Sequence, residues 1–360
     1  MSINNQRQTS GEGSTLVQAN TINMVGIDEK RVREVFNEMV PIALQNYTQE
    51  SHEIAKERVN KFEDELLTKM IKTSTLEALK EPAIQIQLIE AQKIACSTEE
   101  VQDYEMLSEL MVKRFQVDDD RNEITAISKA IQAVDKVSKK SLQGLTLFFA
   151  VITYNPIDGN LEQRLSILED LYKSIIDSEL PSGELWVENL ELNDALKVST
   201  FTSLPQYESM MYNYFEGYLK NGILIGSENY RLACEKLLQV DLNETVLELN
   251  PNNNNYMRLP FINKAELQKM TLTRNFVVTK ATADEIKIIE EIFDLYDGTG
   301  MSIEEFTKIL DRYSHIKIIK SWWNTNIANK MIQLTSVGKM LAETNCLRLN
   351  SDLPRLNFKE

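Results

Sequence analysis

Residues 14–27, STLVQANTINMVGI, alternate apolar and polar side chains imperfectly, with the two-residue period of a β-strand. Leu16, Ile22 and Met24 share one parity, and Val17, Ala19 and Val25 share the other. The chain beyond this stretch reads mostly as amphipathic helix. A lone strand ahead of a helical body leaves backbone N–H and C=O groups without partners, so it must join a sheet elsewhere in the fold or pair with copies of itself. Pairing between copies makes Leu16, Val17, Gln18, Ala19, Ile22 and Met24 an oligomerisation element, and a homo-oligomer is the expected assembly.

The helical body is legible from caps and periodicity. Asp28 is placed to cap a helix carrying Val32, Val35, Phe36 and Met39, with Pro41 interrupting it. From Ser51 to Ile71 the apolar stripe Ile54, Val59, Phe62, Leu66, Leu67 and Met70 runs through Lys, Glu and Arg. Thr75–Ala95 reads as another helix, and Ser97 with Glu100 as a capping box for the next. Asp118–Asp120 reads as the acidic first turn of a helix over 124–137. The most apolar run, Leu142–Ile157, is shorter than the roughly 20 residues needed to cross a bilayer and is expected to be a buried core helix. Helices over 161–178 and 184–196 follow, then one from Pro205 whose Tyr207, Tyr212, Tyr214, Phe215 and Tyr218 suit packing.

Extended structure returns at Val240–Ile262, which reads as a hairpin or an ordered crossing. Ala265–Leu272 reads as helical, Asp284 opens a helix that Gly298 and Gly300 stop, and Ser302 with Glu305 forms a second capping box. A helix at about His315–Thr325 precedes the strand-like Met331–Leu334 and the stretch LTSVGKML. Three helices and a short strand in this order predict a winged-helix-like unit. Its candidate contacts to a partner or to nucleic acid are Lys317, Lys320, Trp322, Trp323 and Lys330.

Charge and chemistry narrow the function. A formal charge of −15 opposes general attraction to nucleic acid or to anionic membrane. Three widely spaced cysteines, Cys96, Cys234 and Cys346, read as reduced thiols of a cytoplasmic protein, and the polar start MSINNQRQTSGEGS has no apolar core of a secretion signal. His52 and His315 are the only histidines, and neither stands in an HExxH pattern. Asp294–Glu305 has the length of a calcium loop but Tyr296, Gly298 and Thr299 at its third, fifth and sixth positions, so calcium is not expected. Glu285-Ile-Lys287 has nuclease-like letters in a helical setting. No catalytic, cofactor-binding or metal-binding residues are assigned, and the protein is expected not to be an enzyme.

Gly11, Ser14, Gln18 and Ala19 form a G-x-x-S-x-x-x-Q-A segment that resembles one found in bacterial conflict and phage-defence proteins. The order of strand, charged helices, LQGLTLFFAVITYNP, NPNNNNYMRLPFI and LTSVGKMLA resembles a bacterial family of LPO/Vpar type. That resemblance implies no catalytic residues.

The expected architecture is mainly α: a tail and β-segment at 1–27, an amphipathic helical domain at 28–140, a central helical domain at 141–280 with its extended crossing at 240–262, and a winged-helix-like unit at 281–360. The expected function is a non-catalytic oligomeric sensor or scaffold in anti-phage defence, with an effector or a phage component as protein partner. The alternatives are a nucleic-acid-binding regulator acting through the C-terminal unit, and a membrane-acting effector that exposes Leu142–Ile157 on activation.

Overall fold

Asp28 starts the body as its position predicts. Its carboxylate accepts the Arg31 N–H at 2.8 Å and opens α1 (Glu29–Ala43), which carries Pro41 in its last turn. The computed structural model describes residues 27–45, 47–117, 120–156, 160–198, 203–274, 277–328, 330 and 332–356. The expected strand over 14–27, with its oligomerisation residues, therefore lies outside the described residues except for Ile27.

The chain is mainly α. α2 (Gln49–Thr73) buries Ala55, Val59, Phe62, Leu66, Leu67 and Met70, but Ile54 is 55% exposed; the stripe passes through its small neighbour Ala55 instead. A 3-10 turn at Leu76–Lys80 precedes α3 (Pro82–Ser97), which Pro82 opens at a position where a missing N–H costs no helical bond. α4 (Val101–Gln116) does not begin with the Ser97 capping box. Ser97 ends α3 and bonds to Ile94 and Asp135, while Thr98 accepts the Glu100 N–H and donates to Asp103. Asp120 caps α5 (Arg121–Ala133) by accepting from the Asn122 and Glu123 N–H groups, which gives the acidic turn a helix-starting role.

α6 (Lys139–Thr153) is the apolar helix of the sequence, and Leu142 through Val151 are all buried. Gly144 makes room there, since a Cβ at this position would sit 2.7 Å from Pro181 and Trp186. α7 (Leu161–Ile175), α8 (Leu185–Leu192) and the strand β1 (Leu196–Val198) follow, then α9 (Tyr207–Tyr214) and α10 (Glu216–Leu219).

A smaller core is built next. β2 (Ile223–Leu224), α11 (Glu228–Leu238), β3 (Glu248–Leu249) and β4 (Tyr256–Arg258) lead into a 3-10 turn at Lys264–Lys269. The antiparallel sheet has the order β2-β4-β3, so the extended crossing over 240–262 is a hairpin with a third strand on its far side. Residues 265–269 make the expected helical turn, but Thr271–Arg274 is a strand, β5, paired with β6 (Val277–Lys280). α12 (Ala283–Phe293) is capped by Thr282 and Glu285, which occupies that Glu and leaves Glu285-Ile-Lys287 helical. Ile223, Ala233, Leu237, Leu259, Ile289 and Ile292 fill this core.

The chain then returns to the main core. α13 (Ile303–Leu310) begins with the predicted Ser302–Glu305 box, α14 (Ser314–Asn326) crosses α7, and β7 (Ile332–Leu334) leads into α15 (Ser336–Leu349). β7 is the short strand expected in the C-terminal unit, and its partner is β1, with Leu196 opposite Leu334 and Val198 opposite Ile332. α15 packs on α4, α5 and α6, so the end of the chain completes a core begun near its start.

Candidate functional site

The LTSVGKML stretch fixes where α15 can lie. Thr335 accepts the Gly338 N–H and donates to the Asp194 and Ala195 carbonyls at 2.5 and 3.1 Å, tying the helix start to β1. Gly338 is required by this approach, because a Cβ there would stand 1.8 Å from the Ala195 carbonyl oxygen.

The residues proposed to meet a partner have divided roles. Trp323 is fully buried, 5.6 Å from Phe148 and 6.4 Å from Tyr207 between ring centroids, and donates to the Pro205 carbonyl. Trp322 lies 5.9 Å from Trp186 and donates to the Pro181 carbonyl. Both tryptophans are therefore packing residues, a correction to their reading as contacts. Lys320 pairs with Asp311 at 2.5 Å and Lys330 with Glu184 at 2.8 Å, whereas Lys317 is exposed on α14. These three cations do not converge on one surface group.

The start of α14 is held from outside. Its own N-cap, Tyr313, offers no side-chain bond, and Glu169 of α7 does that work. Its carboxylate accepts the N–H groups of His315 and Ile316 at 2.9 and 3.0 Å and the Ser314 hydroxyl at 2.9 Å. His315 Nδ1 lies 2.8 Å from Oε1, which places the proton on Nδ1 because a carboxylate only accepts. Burial alone would raise the Glu169 carboxyl, but the His315, Ile316 and Ser314 bonds bring it down to about 2.

A seam of ion pairs between α2, α4, α15 and the segment after α15 was not visible in the sequence. Lys69 of α2 bonds Glu109 of α4 at 3.1 Å, and Arg355 reaches the same carboxylate. Arg348 bridges Glu105 and Asp177 at 3.1 and 3.3 Å. Lys113 pairs with Glu343, whose side chain is 1% exposed and whose Oε1 accepts the Leu356 N–H at 2.6 Å. Burial works to raise Glu109, and Lys69 and Arg355 more than offset it, so this carboxyl sits below its ordinary value. Clefts of about 360 and 210 Å³ open on either side of Arg355. These carboxylates hold helices together in closed pairs.

Glu63 is built differently. Burial pushes it up to about 7 against a single hydrogen bond from Gln92, whose own Oε1 is buried without a partner. It is a carboxyl that changes charge near neutrality inside the α2–α3 contact. The cysteines are free, Cys96 and Cys346 are buried, and burial raises the Cys96 thiol to about 11. Among the described residues no group of three or more His, Cys, Asp or Glu side chains is placed to hold a metal ion, and no helix is long and apolar enough to cross a membrane.

Comparisons with curated proteins and with solved structures found no match. A family model does match, and its matched stretch starts after the Gly11–Ala19 segment and takes in α1 through α15. The chain belongs to the family, described as ":-like", whose model covers residues 26–358.

Proposed function

We propose that the protein is a non-catalytic oligomeric sensor or scaffold that acts by protein contact, in bacterial defence against phage. The observation that carries the reading is the pairing of the 240–262 region. Within one subunit this was the extended region with which a strand over 14–27 could join, and its central strand β4 already has β2 on one edge and β3 on the other. The outer strands β2 and β3 are two residues long each, too short an edge for a strand over 14–27, which supports pairing of Leu16, Ile22 and Met24 between copies. The defence setting is supported by the resemblance of the Gly11–Ala19 segment, and by no residue of the body.

Ile22→Asp in the full chain tests the assembly. Light scattering should give the wild type a multiple of the 41.4 kDa chain mass and the variant a single chain mass, with unchanged far-UV dichroism. A monomeric wild type overturns the proposal. So does a variant that keeps its mass but loses stability, which would place the strand within its own subunit.

A further inference from the structure

Glu63 and Gln92 hold matching places on two packed helices. One turn to either side of Glu63 on α2 stand Val59 and Leu67, and one turn to either side of Gln92 on α3 stand Cys96 and Leu88. Leu67 and Leu88 belong to the main core, whereas Val59 and Cys96 belong to a separate small cluster with Val40, Ala43, Leu44 and Ala55. The polar pair therefore lies on the line where a corner, built by the ends of α1 and α3 and the first half of α2, meets the rest of the body.

The bonding of the pair is incomplete at one atom. Gln92 Nε2 donates to Glu63 Oε1 at 2.8 Å, yet Gln92 Oε1 has no partner although the residue is fully buried. An ionised carboxylate only accepts and cannot serve this atom, while a protonated carboxyl carries an O–H that can. The charges around Glu63 favour the proton. Asp64, next along α2, is a like charge, and Arg33 of α1 is held at the surface by Glu29 and Asp64 at 3.4 and 3.1 Å. On α3 the titratable neighbour is the Cys96 thiol, which burial raises, and Arg58 of α2 is taken up by Glu99 and the Cys96 carbonyl. On α4, Asp103 is engaged by Thr98 and Glu109 by Lys69.

We propose that Glu63 carries a proton in the closed fold and donates it to Gln92 Oε1, so that a reciprocal acid–amide pair latches the corner to the body, and that loss of this proton releases the corner. The proton leaves to solvent. What remains is a buried carboxylate beside an amide oxygen, two acceptors with one donor between them, and the open state in which both meet water is then favoured. This inference does not depend on the assembly proposal.

Cys96, 1% exposed within the corner, reports its opening. The native full chain is labelled with a pyridyl disulfide, which reacts with thiols in acid as well as at neutral pH, and each cysteine is followed by mass spectrometry. Glu63→Gln is the latched reference, since it keeps the neutral shape and an N–H donor at every pH. At pH 8 Cys96 should label at least about tenfold faster in the wild type than in Glu63→Gln, and the ratio should shrink toward one as pH falls to about 4.5. In the wild type at pH 8 it should also label ahead of Cys346, which is buried in α15. A ratio that does not change with pH overturns the latch, and equal rates at the two buried thiols overturn it in favour of opening of the whole fold. Infrared difference spectra of wild type against Glu63→Gln read the proton itself. A protonated carboxyl band at pH 6 that is gone at pH 9 is expected, and carboxylate bands alone at pH 6 refute the acid–amide pair.

Discussion

Glu169 offers the cleanest test of how the C-terminal helices are held. Its carboxylate caps α14 in place of the missing local cap, and its folded value of about 2 lies far below the ordinary 4.5. The difference sets a ceiling of about 3 kcal/mol on what the ionised form contributes. The side chain is 18% exposed, so partial solvation brings the expected contribution to about 2 kcal/mol. Glu169→Gln keeps the shape and one acceptor but removes the charge, and should lower Tm at neutral pH by about 3 °C. A depressed carboxyl stabilises above its unfolded value and loses that contribution as pH falls toward its folded value. The gap between wild type and Glu169→Gln should therefore be full above about pH 5, roughly halved by pH 3, and nearly gone below pH 2. Urea unfolding of both proteins across that range measures it. A gap that is absent at neutral pH, or constant on acidification, would refute the tertiary cap.

Three further outcomes follow from the packing. Gly338→Ala drives a Cβ into the Ala195 carbonyl and should cost at least about 3 kcal/mol or prevent folding, seen as loss of cooperative melting, while Ser336→Ala, exposed beside it, should not. Glu343→Ala strips a buried partner from Lys113 and from the Leu356 N–H, and should destabilise by about 3–5 kcal/mol in denaturant titration; Arg355→Ala, at a half-exposed site, should cost about 1 kcal/mol or less. Glu63→Gln should stabilise the protein at about pH 8 by about 2–3 kcal/mol. The sign is opposite to that of Glu169: a carboxyl raised to about 7 costs stability above that pH and nothing below 4.5, so the advantage of Glu63→Gln should vanish near pH 4.5.

Local signals carried well wherever the interaction is local. Asp28 and the Ser302–Glu305 box were legible because a cap and its target lie three residues apart. The Ser97 box failed although its letters were right, because Thr98 and Asp103 form a tighter local network and α3 runs on through Ser97. The β1–β7 ladder could not be read, since each strand has three residues and the whole smaller core lies between the partners in the sequence. The β5–β6 hairpin was hidden because Leu267 and Met270, spaced as on a helix, continue a pattern into Leu272 that the backbone abandons after the 3-10 turn.

The seam was missed for a different reason. In a chain with 54 acidic residues, Glu105 and Glu109 pass as part of a solvated face. One signal was present. Tyr104, Met106, Leu107, Leu110, Met111 and Val112 are too many apolar residues for a single stripe, so α4 must be covered on nearly all sides, and acids on such a helix need cations. Those cations arrive from Lys69 before it and from Arg348 and Arg355 long after it. The same holds for α15, where Asn345 donates to Thr146 of α6 at 2.8 Å in a buried bond and Gly338 fits under Ala195. Arg348 and Glu343 of α15 pair with Glu105 and Lys113 of α4, so the two helices are coupled through these charges, and Glu343, buried and shared by Lys113 and the Leu356 N–H, is the acid whose removal leaves most unpaired.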